Sequence, residues 1–428
     1  MKVSIIPRNA RPLYDSRGGR IARMAQKALF SLLQRLREGS VVIKDGDGVH
    51  VFGGRLEASE GLVAEIEVHH PRFYTSVALG GSIGAGETYM AGAWSVDDLT
   101  ALIRIILLNQ DVFGRIDAGL ARLKVPLYWF YHLLRRDTRR GSRENVAAHY
   151  DLGNAFYKLF LDDTLTYSCG IFEREDSTLE EASIAKYDRI CRKLSLSPAD
   201  HVVEIGSGWG GFAIHAAKAY GSRVTTTTIS RSQFDLARER ILRAGVGDRV
   251  EILLEDYRDL RGTYDKLVSI EMIEAVGYPF LETFFGICSH LLKPDGIMAL
   301  QAITIADQAF DRHRRNVDFI KRYIFPGSCI PSVSAICGAV ARSTDLRLDH
   351  LEDLTPHYAR TLRVWRERFF SNIDSVRKLG FSDAFIRMWE YYLCYCEAGF
   401  QQRYLGDVQM RLIKPRARPA PLLPALAE

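Results

Sequence analysis

Apolar positions along the chain change their period as it proceeds. Ile21, Met24, Ala25, Ala28, Leu29, Leu32 and Leu36 recur at helical spacing, with Arg20, Arg23, Lys27 and Arg35 elsewhere around the helix. Val41-Val42-Ile43, the turn Asp45-Gly46-Asp47-Gly48 and the run Val49 to Phe52 predict a hairpin. The cluster Gly80-Gly81-Ser82-Ile83-Gly84-Ala85-Gly86 predicts a flexible loop before Glu87 and Tyr89. From about residue 200 short apolar runs alternate with helical ones. His201 to Ile205 predicts a strand followed by a helix from Phe212, and Val224 to Ile229 a second strand with a helix over Ser232 to Ala244. Further strands are expected at 249–254, 266–271 and 296–305. Such alternation implies a parallel sheet covered on both faces. The stretch 306–345 breaks the alternation with a helix of its own and a Pro/Gly turn, and is expected as an insertion near the carboxyl edge of the sheet. The segment from Arg411 to Glu428, with Pro415, Pro419, Pro421 and Pro424, is expected to fray.

Composition narrows the class. The 428 residues are 47% hydrophobic and 25% charged, enough for two or three globular domains. The expected boundaries are a smaller α+β domain over 1–134, a linker at 135–144, an α/β domain over 145–415 and a Pro-rich tail at 416–428. The net charge of +5 is too small to signal nucleic acid, and none is expected as a partner. Its distribution is uneven: residues 1–40 hold nine Lys and Arg against Asp15 and Glu38. A basic amphipathic helix of this kind either lies on an anionic membrane surface or docks on its own domain. The Arg135–Arg143 stretch is a solvated linker or, alternatively, a phosphate contact. Seven scattered cysteines without Cys-x-x-Cys or zinc-finger spacing point to a reducing setting without disulfides or structural zinc. The longest uncharged stretch, Tyr323 to Ala341, contains two prolines and two glycines and is a poor membrane span.

The candidate chemistry begins where the first strand of the α/β region ends. Glu204-Ile205-Gly206-Ser207-Gly208-Trp209-Gly210 leads from strand to helix, and glycines there let the backbone approach a ligand closely. The Gly-x-Gly-x-Gly form is that of methyltransferases binding S-adenosylmethionine rather than of a dinucleotide fold. Asp256 and Tyr257, after the third strand, suit an adenine amino group and ring. The second strand ends in Thr226-Thr227-Thr228 where an acid for a ribose diol is usual, leaving a threonine hydroxyl and Gln233 as substitutes.

With these residues the chain resembles the cyclopropane-fatty-acyl-phospholipid synthase family, which includes mycolic acid cyclopropane synthases and fatty-acyl methyltransferases. The resemblance covers roughly residues 145–410, and less securely Tyr89-Met90-Ala91-Gly92-Ala93-Trp94. It rests on His149-Tyr150-Asp151-Leu152-Gly153-Asn154, Thr166-Tyr167-Ser168-Cys169-Gly170, the glycine loop and Asp256-Tyr257-Arg258-Asp259. It continues through Tyr323-Ile324-Phe325-Pro326-Gly327, Pro356-His357-Tyr358 and Cys394 to Phe400. It implies a doubly wound, Rossmann-like class I methyltransferase domain beside a lipid- or membrane-associated N-terminal domain. Tyr167, Ser168, Gly206, Gly208, Gly210, Thr228, Gln233, Asp256 and Tyr257 are then expected to hold S-adenosylmethionine. Cys169, Glu274, Tyr358 and Cys396 match positions around a bicarbonate ion, with Glu274 preferred to Glu271 because it matches the motif. The chain departs from the synthases in carrying Glu274-Ala275 for a Glu-His pair, and Gln301 for a histidine that helps hold bicarbonate. Glutamine can donate to an oxyanion but cannot carry a proton near neutral pH.

By that resemblance the enzyme acts on unsaturated acyl chains of membrane phospholipid, peripherally, on the cytoplasmic face. Methyl transfer to an alkene leaves a carbocation, which Tyr323, Phe325 or Trp365 could face. Proton loss from the new methyl closes a cyclopropane, the first expectation, and a methyl- or methylene-branched chain is the second. A small-molecule N- or C-methyltransferase and a non-catalytic lipid binder are further alternatives. A homodimer and a reductase partner are both compatible with the resemblance.

Overall fold

The computed structural model describes residues 19–53, 61–113 and 152–422. The expected linker at 135–144, the His149-Tyr150-Asp151 part of the motif and the last six residues lie outside them. The described residues form two compact units, the first drawn from those before residue 114 and the second from 152–422 together with Ile106–Leu108.

The first unit is a four-stranded sheet with helices. Its strands are β1 (Ser40–Asp45), β2 (Gly48–Gly53), β3 (Val63–Val68) and β4 (Trp94–Val96), in the order β2-β1-β3-β4. β1 and β2 form the expected antiparallel hairpin, while β1 and β3 run parallel. The basic helix spans Arg20–Leu33. Leu29 and Leu33 bury, and Phe30 packs against the rings of Phe52 and Tyr74. Ile21 and Met24, nearer its start, are each 72% exposed.

The glycine cluster at 80–86 is not a loop. It lies inside a helix, Arg72–Met90, kinked at Gly81 (φ 54°, ψ −137°). A Cβ on Gly84 would sit 2.0 Å from the Ser76 carbonyl oxygen. The glycines therefore serve close backbone approach across the kink.

The second unit is a seven-stranded sheet, ordered β10-β11-β9-β8-β5-β6-β7. The strands are β5 (His201–Ile205), β6 (Arg223–Thr227), β7 (Val250–Leu253), β8 (Tyr264–Ile270), β9 (Leu292–Ile305), β10 (Arg347–Asp353) and β11 (Leu405–Ile413). β5 to β9 are mutually parallel, as the alternation implied, and β11 runs antiparallel to both β9 and β10. Helices at 211–220 and 231–243 join the first strands, and one apolar core fills each side of the sheet. The fold is thus α/β and Rossmann-like. Three helices, Asp307–Arg315, Phe319–Tyr323 and Val333–Ser343, stand between β9 and β10.

The expected fraying from Arg411 does not hold for its first residues. Arg411 to Ile413 pair with β9 and β10, the Arg411 side chain is buried against Asp349, and Ala417 is buried too. β5 has β6 on one side and β8 on the other, so the strand order reverses there. Open α/β sheets place ligands at the carboxyl ends of strands flanking such a switch.

Candidate active site

A cleft of about 1190 Å³ of empty space, counting its open mouth, lies at that switch. Its floor is the loop leaving β5. Gly206 (φ 97°) and Gly208 (φ 49°) take left-handed conformations, and the Gly206 and Ser207 N–H groups donate to the Thr227 carbonyl. A Cβ on Gly208 would meet nothing within 4 Å, so the backbone there faces open space. Gly210 differs from the expectation. It does not wall the cleft but starts the helix Gly211–Tyr220 at φ 85° and packs towards Ala237.

The other expected cofactor residues, Tyr167, Ser168, Thr228, Gln233, Asp256 and Tyr257, all line the cleft. The Thr228 hydroxyl donates to Gln233 Oε1 at 2.8 Å, a buried pair standing where an acid would otherwise end β6. Asp256 accepts from the backbone N–H of Arg258 at 3.0 Å and from its guanidinium at 2.8 and 2.6 Å. The Tyr257 ring meets Phe284 edge-on at 5.4 Å. Opposite, the Tyr167 hydroxyl is 2.9 Å from that of Tyr392, and the Tyr167 ring packs on buried Trp365 at 5.1 Å. Tight glycine turns, buried hydroxyl and amide groups and an acid beside an aromatic ring fit a nucleoside with a polar amino-acid tail.

Beyond the glycine loop, β8 ends in a carboxylate hub. Glu271 has φ 47°, a rare conformation for a residue with a side chain. Its N–H donates to the Gln301 carbonyl at 2.8 Å, and its half-buried side chain lines the cleft. Oε1 accepts from the Cys169 backbone N–H and from Gln301 Nε2, both at 2.8 Å. Oε2 accepts from the Tyr358 hydroxyl at 2.6 Å. Behind it the Gln301 amide also donates to Asp407 at 3.2 Å and accepts from Gln409 Nε2 at 3.0 Å. Gln409 in turn accepts from Lys193, which pairs with Glu352 at 2.6 Å.

Burial raises the Glu271 carboxyl above its ordinary range, opposed by nearby Lys186, Tyr358, the Cys169 N–H and Gln301. Burial, then Glu271 and Glu274, push the Asp407 carboxyl well above its ordinary range. Burial followed by Asp407 and Glu271 also raises the Cys169 thiol, which stays protonated. Cys169 gives the hub its main-chain N–H, and its thiol stands beside Asp407.

Sequence preferred Glu274 to Glu271, and the geometry reverses that order. Glu274 accepts from the Ile303 N–H at 2.6 Å, leaves Oε2 buried without a partner and is not part of the cleft wall. Burial, then Glu271, push it up to about 8. Cys396 is not brought to the hub either; burial raises its thiol, and its electrostatic neighbours are Asp318 and Cys394. Tyr323 and Phe325 pack against Phe319 and Tyr392 and do not wall the cleft. Sequence missed Lys186 and Asp407. Lys186 sits at helical spacing among core residues of Leu179–Lys193, and Asp407 in a strand that was not expected.

Comparison with known proteins gives the family of the chain. The family model for mycolic acid cyclopropane synthetase matches residues 137–410. The chain is 39% identical over 377 residues to a tuberculostearic acid methyltransferase of Mycobacterium tuberculosis, covering 86% of this chain and 87% of that one. It is 36% identical over 352 residues to the cyclopropane-fatty-acyl-phospholipid synthase of Escherichia coli, covering 81% and 86%. Among solved structures, the cyclopropane synthase MmaA2 of M. tuberculosis aligns with TM-score 0.59 and 33% identity over 64% of this chain and 98% of its own. A mycolic acid cyclopropane synthase complexed with SAH and CTAB aligns with TM-score 0.59 and 31% identity, with the same coverage. The chain belongs to the mycolic acid cyclopropane synthetase family, and its glycine-floored cleft is that of an S-adenosylmethionine-dependent methyltransferase.

Proposed function

We propose that the protein transfers the methyl carbon of S-adenosylmethionine to the cis double bond of an unsaturated fatty-acyl chain of a membrane phospholipid, leaving a methyl- or methylene-branched chain. The observation that carries this is the placement of a carboxylate, Glu271, in the wall of the cofactor cleft beside Ile270, Met272, Ala275 and Val276. An apolar wall suits a hydrocarbon acceptor, and a carboxylate suits the proton that such an acceptor must lose. An isolated alkene is a weak nucleophile, so most of the rate comes from holding it in line with the methyl group. The glycine loop, Tyr167, Ser168, Thr228, Gln233, Asp256 and Tyr257 are the residues that position the donor.

The branched product is favoured by the relative matched at 39% identity, a named methyltransferase, together with Gln301 at the position expected to be histidine in ring formers. Ring closure is the second reading, supported by the synthase matched at 36% identity. A saturated branch would need a reductase acting on the methylated alkene. Access to lipid is supported by exposed Ile21 and Met24 beside Arg20, Arg23 and Lys27. No helix among the described residues is long and apolar enough to cross a membrane.

The test is incubation of the purified protein with methyl-deuterated S-adenosylmethionine and vesicles of a cis-monounsaturated phospholipid, followed by mass spectrometry and NMR of the acyl chains. Deuterium in the acyl chain supports the reading. A retained CD3 group marks a methyl branch, while a CD2 unit marks a methylene or a ring, which NMR separates. Label confined to water-soluble products overturns it.

A further inference from the structure

The family resemblance leads to the expectation of a bicarbonate ion beside the reacting methyl group, yet in this chain three hydrogen-bond donors that could hold one are already engaged. The Cys169 N–H, the Tyr358 hydroxyl and the Gln301 amide all donate to the two oxygens of Glu271. The Ile303 N–H, two residues along β9 from Gln301, donates to Glu274 instead. A carboxylate presents the same pair of resonant oxygens as bicarbonate, and here it arrives on the protein's own chain. A free anion in this place would meet the Glu271 carboxylate, and Lys186 is the buried cation acting on the hub. The site does not fit bicarbonate.

We infer that Glu271 takes the place of a bound bicarbonate and is itself the base that removes the proton after methyl transfer. The step rests on the acyl-chain reading above and balances without a further reagent. The alkene π pair forms the new carbon–carbon bond, the S–CH3 pair leaves with sulfur, and a carbocation remains on the chain. Glu271 takes one proton from that cation. The released C–H pair forms the new π bond, for a methylene after a 1,2-hydride shift has moved the cation onto the methyl-bearing carbon, or, in ring closure, the third side of the cyclopropane. Gln301 suits this assignment. An imidazolium there would pair with Glu271 and weaken it as a base, whereas a neutral amide orients the carboxylate by one N–H and leaves it basic.

The backbone provides a clean variant. At φ 47° residue 271 occupies a conformation natural to glycine, so Glu271→Gly is expected to fold while vacating the carboxylate's space. Wild-type protein with S-adenosylhomocysteine should show no saturable binding of 13C-bicarbonate by NMR, and Glu271→Gly should show it at millimolar concentration. Wild-type turnover on vesicles should be unchanged in carbonate-free buffer. Glu271→Gln and Glu271→Gly should each lose about 100-fold or more in kcat, with S-adenosylhomocysteine affinity retained, and bicarbonate should restore activity to the glycine variant only. Saturable bicarbonate binding by the wild type, or turnover that falls when carbonate is removed, overturns the inference. If no lipid is methylated at all, the acyl-chain reading fails by itself. The binding comparison between wild type and Glu271→Gly still decides whether Glu271 excludes the anion.

Discussion

Lys186 Nζ donates to Ser168 Oγ at 2.5 Å, so a buried cation is tied to a residue of the cleft wall. Its charge acts on Glu271, Cys169, Asp407 and Asp162, and burial lowers its pKa against their pull. Removing one side of such a buried arrangement costs about 3 kcal/mol, because the remaining charge has no water to turn to. Lys186→Met should therefore destabilise the protein by about that amount at pH 8. The loss should shrink at pH 5.5, where the carboxyls take up protons instead. Urea unfolding at the two pH values measures this, and equal stability of variant and wild type would show that Lys186 balances nothing.

The two leading glycines of the loop should fail in different ways. At Gly206 a Cβ would come within 3.1 Å of the Met272 side chain, in a backbone conformation (φ 97°) that suits glycine. Gly206→Ala should lower the melting temperature as well as cofactor affinity. At Gly208 the Cβ would enter open cleft space, so Gly208→Ala should cost only about 1 kcal/mol of folding through its left-handed φ yet weaken S-adenosylhomocysteine binding at least about tenfold. Calorimetric titration beside thermal melts separates the two.

Glu274 and Glu271 lie three residues apart and should respond differently to amidation. Glu274, pushed up to about 8, is largely protonated at neutral pH, and a glutamine can keep the acceptor for the Ile303 N–H. Glu274→Gln should then lower kcat by no more than about tenfold, against about 100-fold for Glu271→Gln. The reverse order would return the central role to Glu274.

Glu204, at the end of β5, is pushed up to about 8 by burial, against the hydrogen bond from Thr226 and the charge of Lys186. Its folded pKa lies above the ordinary value, so the folded state binds the extra proton. That contribution is complete below about pH 4.5 and fades as pH rises through 8. Melting temperature should accordingly decline from pH 5 towards pH 8.5 in the wild type, and less steeply in Glu204→Gln. Parallel slopes for the two proteins would exclude Glu204 as a source of the decline.

Much of the α/β unit was legible because burial on both faces of a parallel strand leaves a mostly apolar run, as in Val202, Val203 and Ile205 of β5. The glycine loop was legible because its backbone needs glycine. The hub was not. Glu271 gathers partners 102, 87 and 30 residues away in sequence, and nothing local announces where Cys169, Tyr358 and Gln301 will meet. The signal that was available was position: Glu271 is the first residue after β8, at the switch between strands, and motif matching outweighed it. The Gly80–Gly86 cluster misled for the opposite reason, since glycine serves close packing of helical backbone as readily as it serves turns. β11 was hidden because Asp407, Gln409 and Arg411 interrupt its apolar pattern, and all three are buried among partners that only the assembled sheet provides.

The placement of β11 between β9 and β10 has a consequence for biosynthesis. β11 comes after both of its neighbours in the chain, and it is inserted into the interior of the sheet, carrying Asp407 and Gln409 with it. Until then β9 and β10 have no common neighbour, and the shell behind Gln301 stays open. A stop codon at 404 would release a chain with a complete glycine loop but without the Asp407 and Gln409 partners of Gln301.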